Sequence, residues 1–418
     1  MALFGWGRAK PEDRQAIALD IGTEFVKALI FIVNDEGAAE VVGVGRQRQR
    51  LSDMQGGTVT DIHGVIGNCE AALERAAEQA GFLPEQVIMG IAGELVKGAT
   101  TTIKYVRPEP LDKISAEELH EILEKVQRRA HERARAMLAW ETGHSEIDVR
   151  LVNAAIVDVR IDGYKVTNPL GFQGREVMVG IYSAFAPIVH LGALQTIAEE
   201  LDLDLLSVAA EPYAVARVTG PNESSEFSAI FIDIGGGTTD IAIVNNGGLV
   251  GTKMFAIGGR AFTKRIMNSF SLSFQAAEEK KINYSEKRLD RDEKAEVKKA
   301  LETDLDVWLS GMELTLGEFK NIDLLPSRIL LCGGGSNLPD IERTLKGANW
   351  GKRLPFARKP AVHFLVPSEI PNVIDTTKKL TTIQDITPMA LANLAIDLVG
   401  RAKAGDVVVS RVVKSLKS

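Results

Sequence analysis

The most constraining feature of the sequence is an apolar segment that ends on an acidic residue and then turns through three glycines. It reads "FIDIGGGTTDIAI" over residues 231–243, with Asp233 at the end of the first apolar run. Because glycine has no side chain, such a turn lets backbone N–H groups approach a ligand closely, and a row of amides suits phosphate oxygens. Taken alone, the segment leaves a plain β-hairpin as the alternative.

The same pattern occurs near the start of the chain. Residues 18–25 read "ALDIGTEF", so Asp20 also ends an apolar run and is followed by Ile–Gly and a threonine. Two similar domains that each present such a hairpin to a shared cleft would hold a triphosphate from opposite sides. Mg²⁺ takes octahedral oxygen coordination and keeps several waters, so two carboxylates plus phosphates suit it. The two motifs together predict a phosphate-binding cleft.

Composition restricts the class of protein. A chain of 418 residues is long enough for two or more domains, and its 25% charged and 45% hydrophobic residues are typical of soluble globular proteins. The net charge of −7 argues against a nucleic-acid partner, which a basic patch usually marks. Cys69 and Cys332 are too few for a disulfide framework and lack a metal-ligand spacing, which fits a reducing cytoplasm.

One uncharged segment, residues 177–198, needs testing as a membrane span. It contains Pro187 and several glycine and polar residues, so we predict a buried strand over 177–185 and then a helix opened by Pro187. The N-terminal apolar run is too short for a signal peptide. We therefore expect neither a spanning helix nor an export signal.

The first part of the chain alternates strands with one helix. Apolar runs at 16–23, 26–33 and 40–45 predict strands, and helical periodicity over 62–80 predicts a helix with Gly81 as its C-cap.

A region of different character follows at about 85–166, with the order strand, helix, strand, strand. Its helix begins at a capping box formed by Ser115 and Glu118. A polar break over 220–227 precedes a new domain at about 228, and the charged run 286–309 predicts a solvated helix.

The motifs resemble those of the actin/hexokinase/heat-shock-chaperone ATPase superfamily, and they occur in the order typical of it. In chain order they are "LDIGTEFVK" (19–27), "LLSVAAEPYAVA" (205–216), "IDIGGGTTD" (232–240), "LCGGGSNLP" (331–339) and "TPMALANLAI" (387–396). They resemble the first phosphate motif, the first connecting motif, the second phosphate motif, the adenosine motif and the second connecting motif. The resemblance implies an α/β, actin-like ATPase fold with two similar domains around a nucleotide cleft.

Within this superfamily the sequence is most similar to the FtsA family of bacterial cell division. Residues 57–82 resemble the start and long helix of its first domain, and residues 163–177 and 274–285 resemble further segments. The strand–helix–strand–strand region resembles its inserted SHS2-type subdomain. The pilus-assembly PilM family has much of the same layout and is the nearest alternative.

The resemblance implies five regions and a tail. They are a first actin-like domain (14–84 and 167–222), an inserted SHS2-type subdomain (85–166), a second actin-like domain (228–265 and 328–400), its smaller helical and strand subdomain (266–327), and a candidate amphipathic membrane-targeting tail (401–418).

It also implies the roles of particular residues. Asp20 and Asp233 would position Mg²⁺ through water, and Lys27 would reach the β- or γ-phosphate, although an exposed strand lysine is an equal alternative. The residues expected to offer amides and hydroxyls to phosphates are Gly22, Thr23, Gly235, Gly236, Gly237 and Thr238. Those expected at the ribose and adenine are Glu278, Lys281, Gly334, Gly335 and Ser336. A simple surface ion pair is the alternative for Glu278 and Lys281, which are spaced i, i+3.

Glu211 lies where the superfamily places the group that orients the attacking water. The FtsA family typically has glutamine there, so glutamate is a departure, and a carboxylate suits the polarisation of water. We expect ATP binding with weak ATPase activity at most. Turnover is left open, because many members use ATP mainly as a conformational and polymerisation switch.

The C-terminus predicts a membrane contact. On a helical projection Val408, Val409, Val412, Val413 and Leu416 fall on one side and the charged residues fall on the other. Binding by one short tail is marginal, so avidity in a polymer would be needed. A terminal helix that packs on its own domain is the alternative, and Leu3, Phe4 and Trp6 form a second candidate anchor.

The resemblance to the FtsA family implies an ATP-binding, polymerising protein that anchors the FtsZ ring to the inner face of the membrane at the division site and recruits later division proteins. Its expected partners are FtsZ, later division proteins, further copies of itself and anionic lipid. The alternative is a PilM-like cytoplasmic scaffold for type IV pilus assembly. A small-molecule kinase is disfavoured, because no substrate-recognition segment is evident beyond the cleft.

Overall fold

The structure, a computed structural model, describes residues 14–143, 147–219, 227–320, 322–347 and 350–399. The candidate tail at 401–418 and the candidate anchor at Leu3, Phe4 and Trp6 lie outside the described residues, as does most of the polar break at 220–227.

The described strands, in chain order, are β1 (Gln15–Ile21), β2 (Phe25–Val33), β3 (Ala39–Arg48), β4 (Met54–Gln55), β5 (Thr58–Val59), β6 (Gln86–Ile91), β7 (Lys97–Val106), β8 (Val149–Ile161), β9 (Tyr164–Lys165), β10 (Glu176–Pro187), β11 (Asp204–Ala210), β12 (Ala229–Ile234), β13 (Thr239–Asn245), β14 (Gly248–Phe255), β15 (Arg328–Cys332), β16 (Ala361–Phe364) and β17 (Val373–Asp375).

The described α-helices are α1 (Ile62–Ala80), α2 (Ala116–Thr142), α3 (Ile188–Glu200), α4 (Glu211–Thr219), α5 (Gly259–Phe270), α6 (Phe274–Ser285), α7 (Arg291–Gly317), α8 (Pro339–Lys346) and α9 (Ile386–Val399). Short 3-10 turns lie at Gly334–Asn337, Pro367–Glu369 and Ile383–Asp385.

A first sheet has the strand order β11-β6-β1-β2-β3-β17 in the described chain. Strands β1, β2 and β3 form an antiparallel meander, whereas β6 and β11 join it in parallel after helical connections. Helix α1 packs on β2 and β3, and α9 packs on β1, β2 and β6. From Ala16 to Ile21 every residue of β1 is buried, as expected for a strand in the middle of a covered sheet.

A second sheet has the order β16-β15-β12-β13-β14-β7-β10-β8-β9 in the described chain. It joins the strands of the second half to those around α2 through only two residue pairs between β14 and β7. At this junction a Cβ atom on Gly98 would lie 2.1 Å from Oγ1 of Thr252 and 2.2 Å from the hydroxyl oxygen of Tyr182. A residue without a side chain is therefore required where the two groups of strands meet.

Strand pairing connects elements across the expected boundaries. Strand β6, which the sequence assigned to the inserted subdomain at 85–166, pairs with β1 and β11 in the first sheet. Strand β10, assigned to the first domain at 167–222, pairs with β7 and β8 beside α2. The reason is that apolar periodicity predicts a strand but does not identify its neighbours.

The C-terminal part of the chain also departs from the expected division. Strand β17 pairs with β3, and α9 is buried in the core of the first sheet, although 328–400 was assigned to the second domain. The described part of 266–327 is helical, with an isolated bridge between Leu325 and Phe356 and no named strand. Most residues of α9 are apolar and buried, so its sequence gives no sign of which core it joins.

Several local predictions are confirmed. Helix α1 ends at Gly81, which has φ 82° and donates its N–H to Ala77. Ser115 caps α2 by accepting from the N–H of Glu118, and Pro187 precedes α3 directly. None of the helices in the described ranges combines the length and the apolar character needed to cross a bilayer.

Candidate functional site

The first hairpin joins β1 to β2 and places Asp20 directly opposite Lys27. The Lys27 ammonium donates to Oδ2 of Asp20 over 2.9 Å, and both side chains are largely buried. Burial alone would lower the pKa of Lys27, but the charge and hydrogen bond of Asp20, aided by Asp233, raise it above its ordinary value. The exposed strand lysine considered from the sequence is therefore wrong.

The second hairpin joins β12 to β13 and places Asp233 directly opposite Asp240. Burial raises the pKa of Asp233, although the Thr387 hydroxyl donates to its Oδ2 over 2.6 Å. Burial and the charge of Asp233 raise the pKa of Asp240 to about 7. Like charges directly opposite each other destabilise a strand pair, so this arrangement is typical of a functional site.

Glu211 opens α4 and faces the same group of charges. Burial, then Asp20, Asp240 and Asp233, raise the pKa of its carboxyl well above the usual range, and Lys27 opposes this shift. Room for the side chain comes from Gly90 of β6, where a Cβ atom would lie 2.7 Å from Oε1 of Glu211.

The tips of the two hairpins touch. A Cβ atom on Gly237 would lie 2.9 Å from Oγ1 of Thr23, and one on Gly236 would lie 2.9 Å from Cβ of Glu24. Each tip is a tight turn, in which the N–H of Gly22 donates to Phe25 and the N–H of Gly235 donates to Thr238. The fold therefore brings together the phosphate-loop residues expected from the sequence.

Arg260, near the start of α5, connects the two hairpins. Its Nε donates to Oε2 of Glu24 over 2.7 Å, and its Nη atoms donate to the carbonyl oxygens of Thr23 and Met54 over 2.6 and 3.2 Å. Glu24 is also paired with Arg48 over 2.7 Å. Arg260 thus makes three contacts from the second half of the chain to the first.

The residues expected near the nucleoside lie beside the second hairpin. Nζ of Lys281 lies 2.8 Å from Oε2 of Glu278 and donates to the hydroxyl of Thr263 and the carbonyl of Gly259. This is an i, i+3 ion pair, but both side chains are mostly buried. A Cβ atom on Gly259 would lie 3.4 Å from Nζ of Lys281 and 3.9 Å from Cα of Gly335. The Glu278–Lys281 pair and the glycine turn at Gly335, both expected near the nucleoside, therefore lie close to each other.

The glycine turn after β15 approaches the second hairpin closely. Gly333 has φ 80°, and a Cβ atom there would lie 2.0 Å from Oδ1 of Asp233. Gly334 lies against the side chain of Gln384. Ser336 is buried and donates its hydroxyl to the carbonyl of Cys332 over 2.5 Å.

Sequence reasoning missed Asp240, Arg260, Thr387 and Gly333. Asp240 and Thr387 lie inside motifs that the sequence had identified, and Gly333 adjoins the expected Gly334. Arg260 had no such signal, because its partners lie more than 200 positions away. Among the described residues no group of three or more His, Cys, Asp or Glu side chains has the arrangement of a metal centre. Two carboxylates that hold a hydrated Mg²⁺ through water do not need such a group.

Comparison with known proteins identifies the class of fold. The family model described as "MreB/Mbl protein" matches residues 160–288, and that described as "Cell division protein FtsA" matches residues 230–381. A solved structure of the PilM–PilN type IV pilus biogenesis complex superposes with a TM-score of 0.61 at 18% identity, covering 92% of this chain and 98% of that chain. The chain has the actin-like ATPase fold, as its motifs predicted.

The resemblance to FtsA is also confirmed. Cell division protein FtsA of Pseudomonas aeruginosa is 26% identical over 349 residues, which cover 78% of this chain and 78% of that protein. FtsA of Agrobacterium fabrum is 24% identical over 385 residues, which cover 82% of each chain. The similarity therefore extends along most of both chains.

Proposed function

We propose that this chain is an ATP-binding, polymerising cell-division protein that anchors the FtsZ ring to the cytoplasmic face of the membrane and recruits later division proteins. The observation that carries the proposal is the similarity to FtsA along 78% of both chains in the Pseudomonas aeruginosa comparison. The match to PilM has a lower identity and shows the fold alone.

The residues present fit a nucleotide and a divalent cation. Asp20, Asp233, Asp240 and Glu211 act on one another electrostatically around Lys27, so the buried carboxylates outnumber this lysine. A hydrated Mg²⁺ held by Asp20 and Asp233 would offset that excess. Lys27 and the two hairpins would hold phosphate oxygens, and the nucleoside would lie near Glu278, Lys281 and Gly334–Ser336. Bound ATP would supply binding energy that favours one arrangement of the two halves.

Glu211 is the residue proposed to orient and polarise water. The raised pKa of the Glu211 carboxyl lies closer to neutral pH than the ordinary value does. A group that accepts a proton from water works best with a pKa near the operating pH. We expect E211Q to bind ATP like the wild type and to hydrolyse it more slowly. Equal and very slow hydrolysis in both proteins would instead make ATP a switch without turnover.

The direct test combines lipid, nucleotide and FtsZ in one sedimentation assay. Anionic liposomes are mixed with FtsZ and either the full chain or a chain that ends at Gly405, with and without ATP–Mg²⁺. We expect FtsZ to sediment with liposomes only in the presence of the full chain, and more strongly with ATP–Mg²⁺.

A pair of tail variants separates membrane insertion from simple charge attraction. V409S/V413S removes apolar surface from the predicted tail helix without changing its charge, whereas S410A/S415A alters its polar side. We expect only the first to abolish sedimentation. If the unmodified full chain bound neither lipid nor FtsZ, the proposal would be contradicted and a pilus-type cytoplasmic scaffold would be favoured.

A further inference from the structure

A cavity of about 910 Å³ opens where the second sheet divides, away from the hairpins. Strands β7 and β14 pair only at Ala99 with Gly251 and at Gly98 with Thr252, and then diverge. Thr100, Thr101 and Thr102 line one side of the opening, and Gly248, Leu249 and Val250 line the other. The volume is within the usual range of a ligand site.

The edge of β7 beside this cavity has no partner strand among the described residues. Strand β10 pairs with β7 from Lys97 to Val106, but beyond Thr100 no strand of the described residues pairs with the other edge. This edge reads "TTIKYV" from Thr101 to Val106, and most of these residues are β-branched or aromatic. An unpaired edge of this composition accepts an added strand, because its N–H and C=O groups point outward.

The cavity is positively charged although the chain carries a net charge of −7. Arg129, Arg133, Arg160 and Lys165 line it, against Glu132 and Asp158. Arg160 is neutralised by Asp158 over 2.8 Å. Arg129, Arg133 and Lys165 form no ion pair or hydrogen bond through their side chains with any residue in the described ranges. Their charges are thus available to a ligand.

One polar atom of a residue that lines the cavity also lacks a partner in the described part of the chain. Oδ1 of Asp158 is buried and has no hydrogen-bond partner among the described residues, whereas its Oδ2 accepts from Arg160. A buried carboxylate oxygen without a donor is unfavourable, so the described residues alone do not fully satisfy Asp158.

We propose that this cavity binds an extended, acidic peptide segment of a partner protein, which adds as a strand to the free edge of β7. The peptide backbone would continue the ladder beyond Thr100, and its acidic side chains would reach Arg129, Arg133 and Lys165. The proposal goes beyond the function in division and does not depend on it, since none of these residues belongs to the hairpins.

The test uses a fluorescent octapeptide that alternates glutamate with valine or threonine, followed by anisotropy with the full chain. A peptide with lysine in place of glutamate controls for charge. A glutamate peptide with every backbone amide N-methylated controls for strand addition, because it has no N–H group to donate to a ladder from either edge. We expect only the unmodified acidic peptide to bind, and raising the salt from about 50 to about 300 mM should weaken it. Hydrogen exchange at Thr101–Val106 should slow in its presence.

Matched variants on α2 locate the contact. R129S/R133S removes two arginines from the cavity, whereas R128S/R135S removes two exposed arginines of the same helix that do not line it. We expect at least a tenfold loss of affinity for the first pair and less than a twofold change for the second. All four arginines are exposed, so both proteins should melt like the wild type.

Four results would overturn the proposal. No binding of the acidic peptide at about 1 mM would exclude this class of ligand, and equal binding of the N-methylated peptide would exclude strand addition. Equal losses for the two arginine pairs would indicate diffuse charge attraction instead of a defined site. Sedimentation with anionic vesicles that is lost in R129S/R133S, without peptide binding, would assign the same arginines to a lipid surface.

Discussion

The two hairpins share a motif but differ in the residue opposite the motif aspartate. In the first hairpin Lys27 lies opposite Asp20 and neutralises it. In the second hairpin Asp240 lies opposite Asp233, so an acidic residue occupies the position that lysine occupies in the first hairpin. The first hairpin is therefore balanced in charge, because its carboxylate is paired with a lysine. The second holds two carboxylates, Asp233 and Asp240, whose pKa values are raised.

This difference in charge predicts that the two hairpins depend differently on a bound cation. A balanced hairpin can fold without a ligand, because its buried charge has a partner. An unbalanced hairpin is less stable without a cation, because desolvation and mutual repulsion both act on its carboxylates. We infer that a cation would stabilise the second hairpin more than the first.

The largest expected effect comes from removing the balancing charge. K27M should lower the free energy of unfolding by about 4 kcal/mol, because it leaves Asp20 buried without its partner. Chemical denaturation at pH 7 measures this. In D20N/K27M most of the loss should return, because both charges are gone. K253M, which breaks an exposed pair with Glu318, should change stability by less than about 1 kcal/mol and serves as the control. A K27M protein as stable as the wild type would contradict the balanced hairpin.

The second prediction concerns Asp240 and the pH dependence of the free energy of unfolding. The folded protein retains the Asp240 proton up to about pH 7, whereas the unfolded chain releases it near its ordinary value of 3.8. This group therefore makes stability fall as the pH rises from about 4 to about 7, with no further change above that range. D240N should remove this loss and exceed the wild type by about 4 kcal/mol at pH 8, with no difference below pH 4.

The measurement is a series of denaturation curves in EDTA from pH 4 to pH 8. D306N, which alters an exposed carboxyl on α7, is the control and should follow the wild-type curve. Parallel wild-type and D240N curves would show that Asp240 does not carry the excess charge. With Mg²⁺ and ATP added, D240N should gain less stability than the wild type.

The third prediction tests the connection between the hairpins. R260A should accelerate hydrogen exchange at the Gly235 N–H, which donates to Thr238, about tenfold, because charged hydrogen bonds to Glu24 and two carbonyls are lost. This corresponds to about 1.4 kcal/mol. R48A removes the other partner of Glu24 within the first half and should leave exchange at Gly235 unchanged. Equal effects of the two variants would mean that Arg260 does not connect the halves specifically.

The smallest expected effect concerns Thr387. T387V removes the hydroxyl that donates to Asp233 and should lower the free energy of unfolding by about 1 kcal/mol, with a further rise in the pKa of Asp233. T387S keeps the hydroxyl and should behave like the wild type. If T387S were as unstable as T387V, packing of the methyl group would explain the loss better than the hydrogen bond.

The sequence by itself determined the local elements and the class of fold. The Asp–Ile–Gly repeats, the capping box at Ser115 and the C-cap at Gly81 are short-range signals, since each depends on residues a few positions apart. The predicted site residues were also found from short-range signals, because each lies in a motif of a few consecutive residues.

Only the tertiary structure decided which strands pair, where α9 packs and which residues meet between the hairpins. Strand β6 joins the first sheet and α9 joins its core, because a buried apolar face can pack against either half and periodicity does not choose between them. The contact between Arg260 and Glu24 and the gap between β7 and β14 arise in the same way. Both depend on backbone positions that are far apart in the chain and are fixed only when the sheets assemble.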